Sequence, residues 1–378
     1  MVLEVTRAQV MAYRAAAHGL DRRTKAAADL AVLDLGVQSA GESARLAVAA
    51  RLADVPRGED DPLTDDETFA LLWSFRGAPH LHRRADLPGL VSALWPLNEA
   101  DAMSRLPAER AALRAADMSA LDAFSAVARA LRSVVTRPLS KGEVSAAVTA
   151  RLPEALSYEC RPCQAVHVYV GIFQQAGLFA GVRHVPDQSP LTLVPLEGRP
   201  RIPTKAAGTT EVLRAYLRLH GPATLTDAAG YLGTTGAHLR SVWPDDAAQV
   251  SVDGRRCWIL PDRLDLLRDP PPPTYVRLLP AYDPLLQGRD RAVLVPDPAR
   301  RKQVWRILGN PGVVFVDGEI TGTWRARAGG RTATGAKRLT LTIEAFGSMR
   351  RQVRAAVEDE AARMALARGV PDVQVSYE

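Results

Sequence analysis

The sequence predicts a mainly α chain with β segments, an α+β fold of tandem winged helix-turn-helix modules ending in a C-terminal β domain. Three observations predict it. The stretch Glu211–Leu260 reads helix, helix, tight turn, helix and basic hairpin, the element order of a winged helix. Ser140–Val194 repeats the helix, helix, strand logic without a detectable sequence repeat. Pro270–Pro273 is a four-proline run, a semi-rigid spacer beyond which short β-rich runs replace helical periodicity. The chain therefore divides into an N-terminal helical and winged-helix region (1–137), a second winged helix (138–205), a third (206–269) and a β-rich domain with a closing helix (274–378).

From the N-terminus, Thr6 caps a helix through about Gly19, with Val10, Met11 and Tyr13 on its apolar side. Helices over Thr24–Leu33 and Glu42–Ala53 flank Leu35–Gly41, and Pro56–Asp66 is an acidic, exposed loop. Thr64 and Glu67 form a capping box for a helix through Trp73. Ser74–Arg83 is extended, placing Arg76, Ala78, His80 and His82 on one face at period two. That face fits a DNA-facing or active pocket, and equally a half-buried strand. Helices follow at Leu87–Leu94, Glu99–Ser104, Pro107–Ala116 and Ser119–Thr136. Ser140, three residues before Glu143, caps another through Leu152. Gln164–Ala176 is a further helix, Gly177–Val185 begins a strand, and Pro186–Pro203 is a linker or an ordered crossing strand.

In the third module Val212, Leu213, Tyr216 and Leu217 line a helix that Gly221-Pro222 stops. A short helix carries Ala228, Ala229, Tyr231 and Leu232, and Ala237–Trp243 is the third helix. Gln249–Val252 and Arg255–Leu260 flank Asp253-Gly254, a type I′ hairpin signal. In this geometry His238 and Arg240 face the major groove of duplex DNA, and Arg255 and Arg256 on the wing reach phosphates. Winged helices also dock proteins, so this copy has two classes of partner. The β domain reads as Val276–Leu279, Ala292–Val295, Val313–Val316, Glu319–Arg325 and Arg338–Ile343, closed by a helix Ser348–Ala367. Between Thr321 and Thr342 stand Arg325, Arg327, Arg331, Lys337 and Arg338 with no acid. Such an arm is either solvated or grips phosphates.

A net charge of +6 and a pI near 9.4 suit a polyanionic partner. Only five of the basic residues are lysines, an arginine bias that a GC-rich genome also produces. Three cysteines make no disulfide framework. No signal-like N-terminus and no run of about 18 apolar residues is present. A soluble, cytoplasmic, monomeric protein without a membrane partner is expected. No P-loop, Rossmann fingerprint or Ser-His-Asp arrangement calls for a cofactor. Cys160, Cys163 and His167 form C-x2-C-x3-H. With His184 alone in reach as a fourth ligand, they read as two reduced cysteines and a helix-face histidine, with no metal.

Four stretches together resemble the tandem winged-helix DNA glycosylases of the AlkZ/YcaQ type. They are Leu35-Gly36-Val37-Gln38, Trp73-Ser74-Phe75-Arg76-Gly77 leading to His80-Leu81, Leu278 through Asp283, and Val316-Asp317-Gly318 with Gly322-Thr323-Trp324. The resemblance implies a cradle for damaged duplex DNA and hydrolysis of the N-glycosidic bond of N7-alkylated or crosslinked bases. It also implies a catalytic Gln-x-Gln, or Gln-x-Asp in the crosslink-unhooking branch. Gln38 matches the first position, Ala40 departs from the third, and Glu42 is the nearest acid. An N7-alkylated purine is already cationic and leaves with little general-acid help. The enzyme chiefly positions water and stabilises an oxocarbenium-like sugar. A non-catalytic DNA-binding regulator or lesion sensor is the alternative.

Overall fold

The computed structural model describes residues 2–56, 60–331 and 337–378, with backbone alone at 328–331 and 337. The chain forms two units. One comprises Met1–Asp65, Ala215–Thr224 and Asp245–Glu378, the other Asp66–Arg214 and Leu225–Pro244. Segment 206–269 thus contributes to both.

In the first unit the Thr6 hydroxyl accepts from the Gln9 amide, and the Gln9 side chain accepts from the Thr6 backbone N–H. This capping box opens the helix Arg7–Ala17. Leu3–Val5, unassigned from sequence, is a strand that pairs parallel with Ala248–Val252. Ala248–Val252 pairs antiparallel with Arg255–Ile259 across Asp253-Gly254. Both turn residues have positive φ, 47° and 82°, as a type I′ turn requires. Val5, Val10, Tyr13, Val250, Cys257 and Ile259 make the core beneath this sheet.

The expected helix Thr24–Leu33 is instead two 3-10 turns, Ala27–Asp29 and Ala31–Asp34, neither with a side-chain cap. The next helix is shorter than expected, Ser43–Ala49. A five-stranded sheet forms the C-terminal part, in the order Val276–Leu279, Gly312–Val316, Glu319–Arg331, Lys337–Ala345, Asp372–Tyr377. Its first four strands are antiparallel, with Asp317-Gly318 as one hairpin turn. The last is parallel to its neighbour, because the helix Arg351–Ala367 carries the chain back across. That strand, too, was not foreseen, although Val373, Val375 and Tyr377 alternate and pack on the core. The expected strand Ala292–Val295 is a turn of helix, Arg291–Leu294. Four apolar residues do not distinguish the two periods.

In the second unit the expected helix ending at Trp73 is a strand, Phe69–Trp73, paired with Pro79–Arg83. It is buried on both faces, and such a run carries no alternation to separate strand from helix. Helices Leu87–Leu94, Glu99–Ser104, Arg110–Ala115 and Ala120–Val134 follow, two of them capped by Asn98 and Ser119. The Ser140–Glu143 capping box opens Lys141–Thr149. The helix expected over Gln164–Ala176 starts later, at Val170, and runs to Ala180. In front of it stands a hairpin, Ser157–Cys160 with Ala165–Val168. Val182–His184, Thr192–Pro195 and Leu139–Ser140 complete a small sheet, so the Pro-rich segment is an ordered strand. In place of the helix expected over Ala237–Trp243 stand a single helical turn, Gly236–Leu239, and a 3-10 turn, Arg240–Val242. Trp243, before Pro244, is already extended. Among the described residues no helix is long and apolar enough to cross a membrane.

Candidate active site

Leu35 and Val37 are buried on either side of Gly36, whose φ of 72° suits glycine. Val37–Gln38 is a two-residue strand. Ser43 pins the loop that follows. Its hydroxyl accepts from the Ala40 N–H at 2.7 Å and donates to the Gln38 carbonyl at 2.9 Å. The Gln38 side chain is half-buried and its amide makes no hydrogen bond among the described residues. Gln38 is thus held through its backbone carbonyl and not through its side chain.

Ala40 is exposed and lines a cleft of about 190 Å³ with Glu42, Asn310, Trp324, Arg325 and Arg368. Ala40 and Glu42, from the loop after Gln38, and Arg325, from the basic strand, thus border the same cleft, while Gln38 itself does not line it. Glu42 is not a free base. It pairs with Arg368 at 2.9 Å and approaches Arg45 at 4.0 Å, while Arg45 is held by Asp61 at 2.6 Å. Burial lowers the Arg368 pKa, and the Glu42 charge opposes that shift. Arg368 was missed from sequence, where it is only one basic residue after a helix.

The cleft stands on a rigid base. The Trp324 indole N–H donates to the Leu279 carbonyl at 3.0 Å. Gly312 lies so close beneath that ring that a Cβ there would sit 2.1 Å from it. Asp283 receives the Arg51 guanidinium in a two-pronged bond at 2.7 and 2.8 Å and caps the next turn by accepting from the Leu285 N–H.

His80 and His82 do sit on one strand, but each is only 1% exposed, so neither presents a face to DNA. His80 Nδ1 lies 2.9 Å from the Ala78 carbonyl and His82 Nε2 lies 2.9 Å from the Ser74 hydroxyl. Burial drives the pKa of His82 down to about 3 and holds His80 well below its ordinary range. Both are neutral near pH 7. Arg76 does not share their face. It lies in the turn Phe75–Gly77 with φ of 56°, its guanidinium over the Tyr231 ring and bonded to the Tyr231 carbonyl.

Of the residues expected to contact DNA, His238 is half-buried on its short helix and Arg240 is exposed. Arg255 and Arg256 are exposed at the start of the strand Arg255–Ile259. Arg325 and Arg327 project from alternate positions of one strand, both exposed, with Arg325 also bonded to the Gly309 carbonyl at 2.8 Å. Arg338 is neutralised by Asp372 at 2.5 Å. The side chains of Arg331 and Lys337 lie outside the described residues.

His167 is not on a helix. It lies on the strand Ala165–Val168, opposite Tyr158, and its ring nitrogen gathers with the Cys160 and Cys163 sulfurs within 4.8 Å of one another. His184 stands apart from that group, buried against Trp73 with ring centroids 4.4 Å apart and its pKa pushed by burial to about 3.

Residues 27–367 match the family described as DNA glycosylase AlkZ-like. The chain belongs to this family. Among solved structures, the AlkZ-like chain is similar to Streptomyces sahachiroi DNA glycosylase AlkZ, with a TM-score of 0.74 and 25% identity over the whole of both chains. A curated relative from the same organism, named an interstrand DNA cross-link repair glycosylase, is 33% identical over 184 residues. That alignment spans 46% of either chain, about half the length of the relative. In the AlkZ-like chain Asp283 and Trp324 are fixed by the Arg51 pair and the Leu279 carbonyl, and Gly36 supplies the positive φ of the turn before Val37-Gln38.

Proposed function

We propose that this AlkZ-like chain binds damaged duplex DNA and hydrolyses the N-glycosidic bond of N7-alkylated or crosslinked purines, with Gln38 beside the reacting sugar. The Gln38 amide, half-buried in a loop that Ser43 immobilises and without a hydrogen-bond partner among the described residues, carries this reading. Water adds at C1′ as the C1′–N9 bond breaks. The bond pair leaves with the base, which becomes a neutral purine, and the water's proton passes to solvent. An amide fixed at that point accepts from the water or faces the developing positive charge, and it reorganises little as it does so. Arg325 at the cleft and Arg327, exposed two residues further along the same strand, hold the flanking phosphates. Winged helices at 138–205 and 206–269 bind duplex as well, the latter through Arg255 and Arg256.

One observation favours a second reading. Ala40 offers no polar group where the family pattern has Gln or Asp, and Glu42, the next acid, is spent on Arg368. A chain with a single amide at the sugar is a slow enzyme, or a lesion-binding protein without turnover. Incubation with N7-alkylated duplex DNA, scored for abasic sites, separates the two. Base release that disappears in Gln38→Ala supports catalysis. Damage-selective binding with no abasic product supports lesion sensing.

A further inference from the structure

The hairpin Ser157–Cys160/Ala165–Val168 stands as a two-stranded ribbon, with no third strand beside it among the described residues. It exposes apolar surface, with Val166 56% and Tyr158 37% exposed. Ribbons of this kind are marginally stable in water on their own. The turn Arg161-Pro162-Cys163-Gln164 joins the two strands. Gln164 takes a positive φ of 50° to complete the reversal. Cys160 and His167 are on neighbouring strands, Cys160 opposite Ala165 and His167 opposite Tyr158. Diagonal pairs of this kind bring side chains on one face of a ribbon together.

We infer that Cys160, Cys163 and His167 form a metal site for a thiophilic divalent cation of the zinc class, with the fourth position open to solvent. Their three donor atoms already lie within 4.8 Å of one another. A tetrahedral zinc with bonds of about 2.0 to 2.3 Å holds its ligands about 3.5 to 3.8 Å apart, a distance that small side-chain rotations reach. Sulfur and imidazole donors select zinc over magnesium or calcium, which require oxygen. Two thiolates and one dication sum to zero charge. Among the described residues no fourth His, Cys, Asp or Glu joins the group, so water completes the shell. Metal binding at this point would staple the two strands through the turn that joins them, and hold Arg161 at the tip in a fixed position.

The test uses the full chain, purified under reducing conditions without chelator. About one zinc per chain is expected, and cobalt exchange should yield thiolate-to-cobalt charge-transfer bands. Cys163→Ser and His167→Ala should each weaken cobalt binding more than about tenfold. Chelation should speed amide hydrogen exchange over 157–168 and leave exchange in the five-stranded sheet unchanged. Zinc well below stoichiometric, metal bound without charge-transfer bands, or a Cys160–Cys163 disulfide in the reduced preparation would each overturn the site. So would exchange over 157–168 that chelation does not alter.

Discussion

Arg51 and Asp283 form a fully buried, two-pronged ion pair, with side chains 0% exposed on both partners. Arg51 follows the helix that carries Ser43, and Asp283 lies just beyond the strand whose carbonyl receives Trp324. The pair therefore links the loop of Gln38 to the floor of the β domain. Arg51 also donates to the His18 and Ala47 carbonyls, so its polar atoms are well satisfied.

Removing one partner strands a buried charge. Asp283→Ala should cost about 3–5 kcal/mol of stability, whereas replacing both residues by apolar ones of similar volume should recover much of the loss. Urea unfolding followed by tryptophan fluorescence measures both. A loss below about 1 kcal/mol would match an exposed pair and contradict this role.

At the candidate site, Gln38→Ala should abolish base release and leave duplex affinity nearly intact, because the amide acts on the transition state. Restoring the family pattern by Ala40→Gln should raise release about ten- to a thousandfold. Single-turnover assays on N7-alkylated duplex check both. No gain from Ala40→Gln, on a wild type without activity, would leave lesion binding as the function.

Arg325 and Arg327 are exposed on one strand. Replacing both with Ala should lower the slope of log K against log salt by about 0.9 for each lost phosphate contact. Arg338→Ala should change the slope less, since Asp372 already neutralises that charge. Equal slopes for wild type and the double variant would mark the strand as solvated surface.

Three buried histidines of the second unit make its stability depend on pH. Burial takes His82 and His184 to about 3 and keeps His80 well below its usual range. In the unfolded chain each titrates near 6.5. Above that pH both states are neutral and the stability is fully present. As pH falls from 6.5 toward the folded values, only the unfolded chain gains protons, and each histidine costs about 1.4 kcal/mol per pH unit. Between roughly pH 6.5 and 5.5 carboxylates contribute little, so melting temperature should drop steeply there. His82→Gln should reduce that drop by about a third. A flat profile across this window would show that these rings titrate normally.

The sequence by itself determined what short-range bonds decide. The capping boxes at Thr6 and Ser140 and the turns at Asp253-Gly254 and Asp317-Gly318 close within four residues, and so they were legible. The family was also readable, because Gly36-Val37-Gln38 and Leu278 through Asp283 keep their residues and order. Only the tertiary structure decided what depends on distant partners. Leu3–Val5 becomes a strand because Ala248–Val252 offers it an edge. Phe69–Trp73 is a strand because both of its faces are covered, a burial that erases the period a sequence reading needs. Glu42 looks like a spare acid until Arg368 is placed against it, and His167 reads as a helix-face histidine until a hairpin sets its ring nitrogen near two sulfurs. Ionic partners are chosen by proximity in space, and proximity between residues far apart in the chain exists only once it has folded.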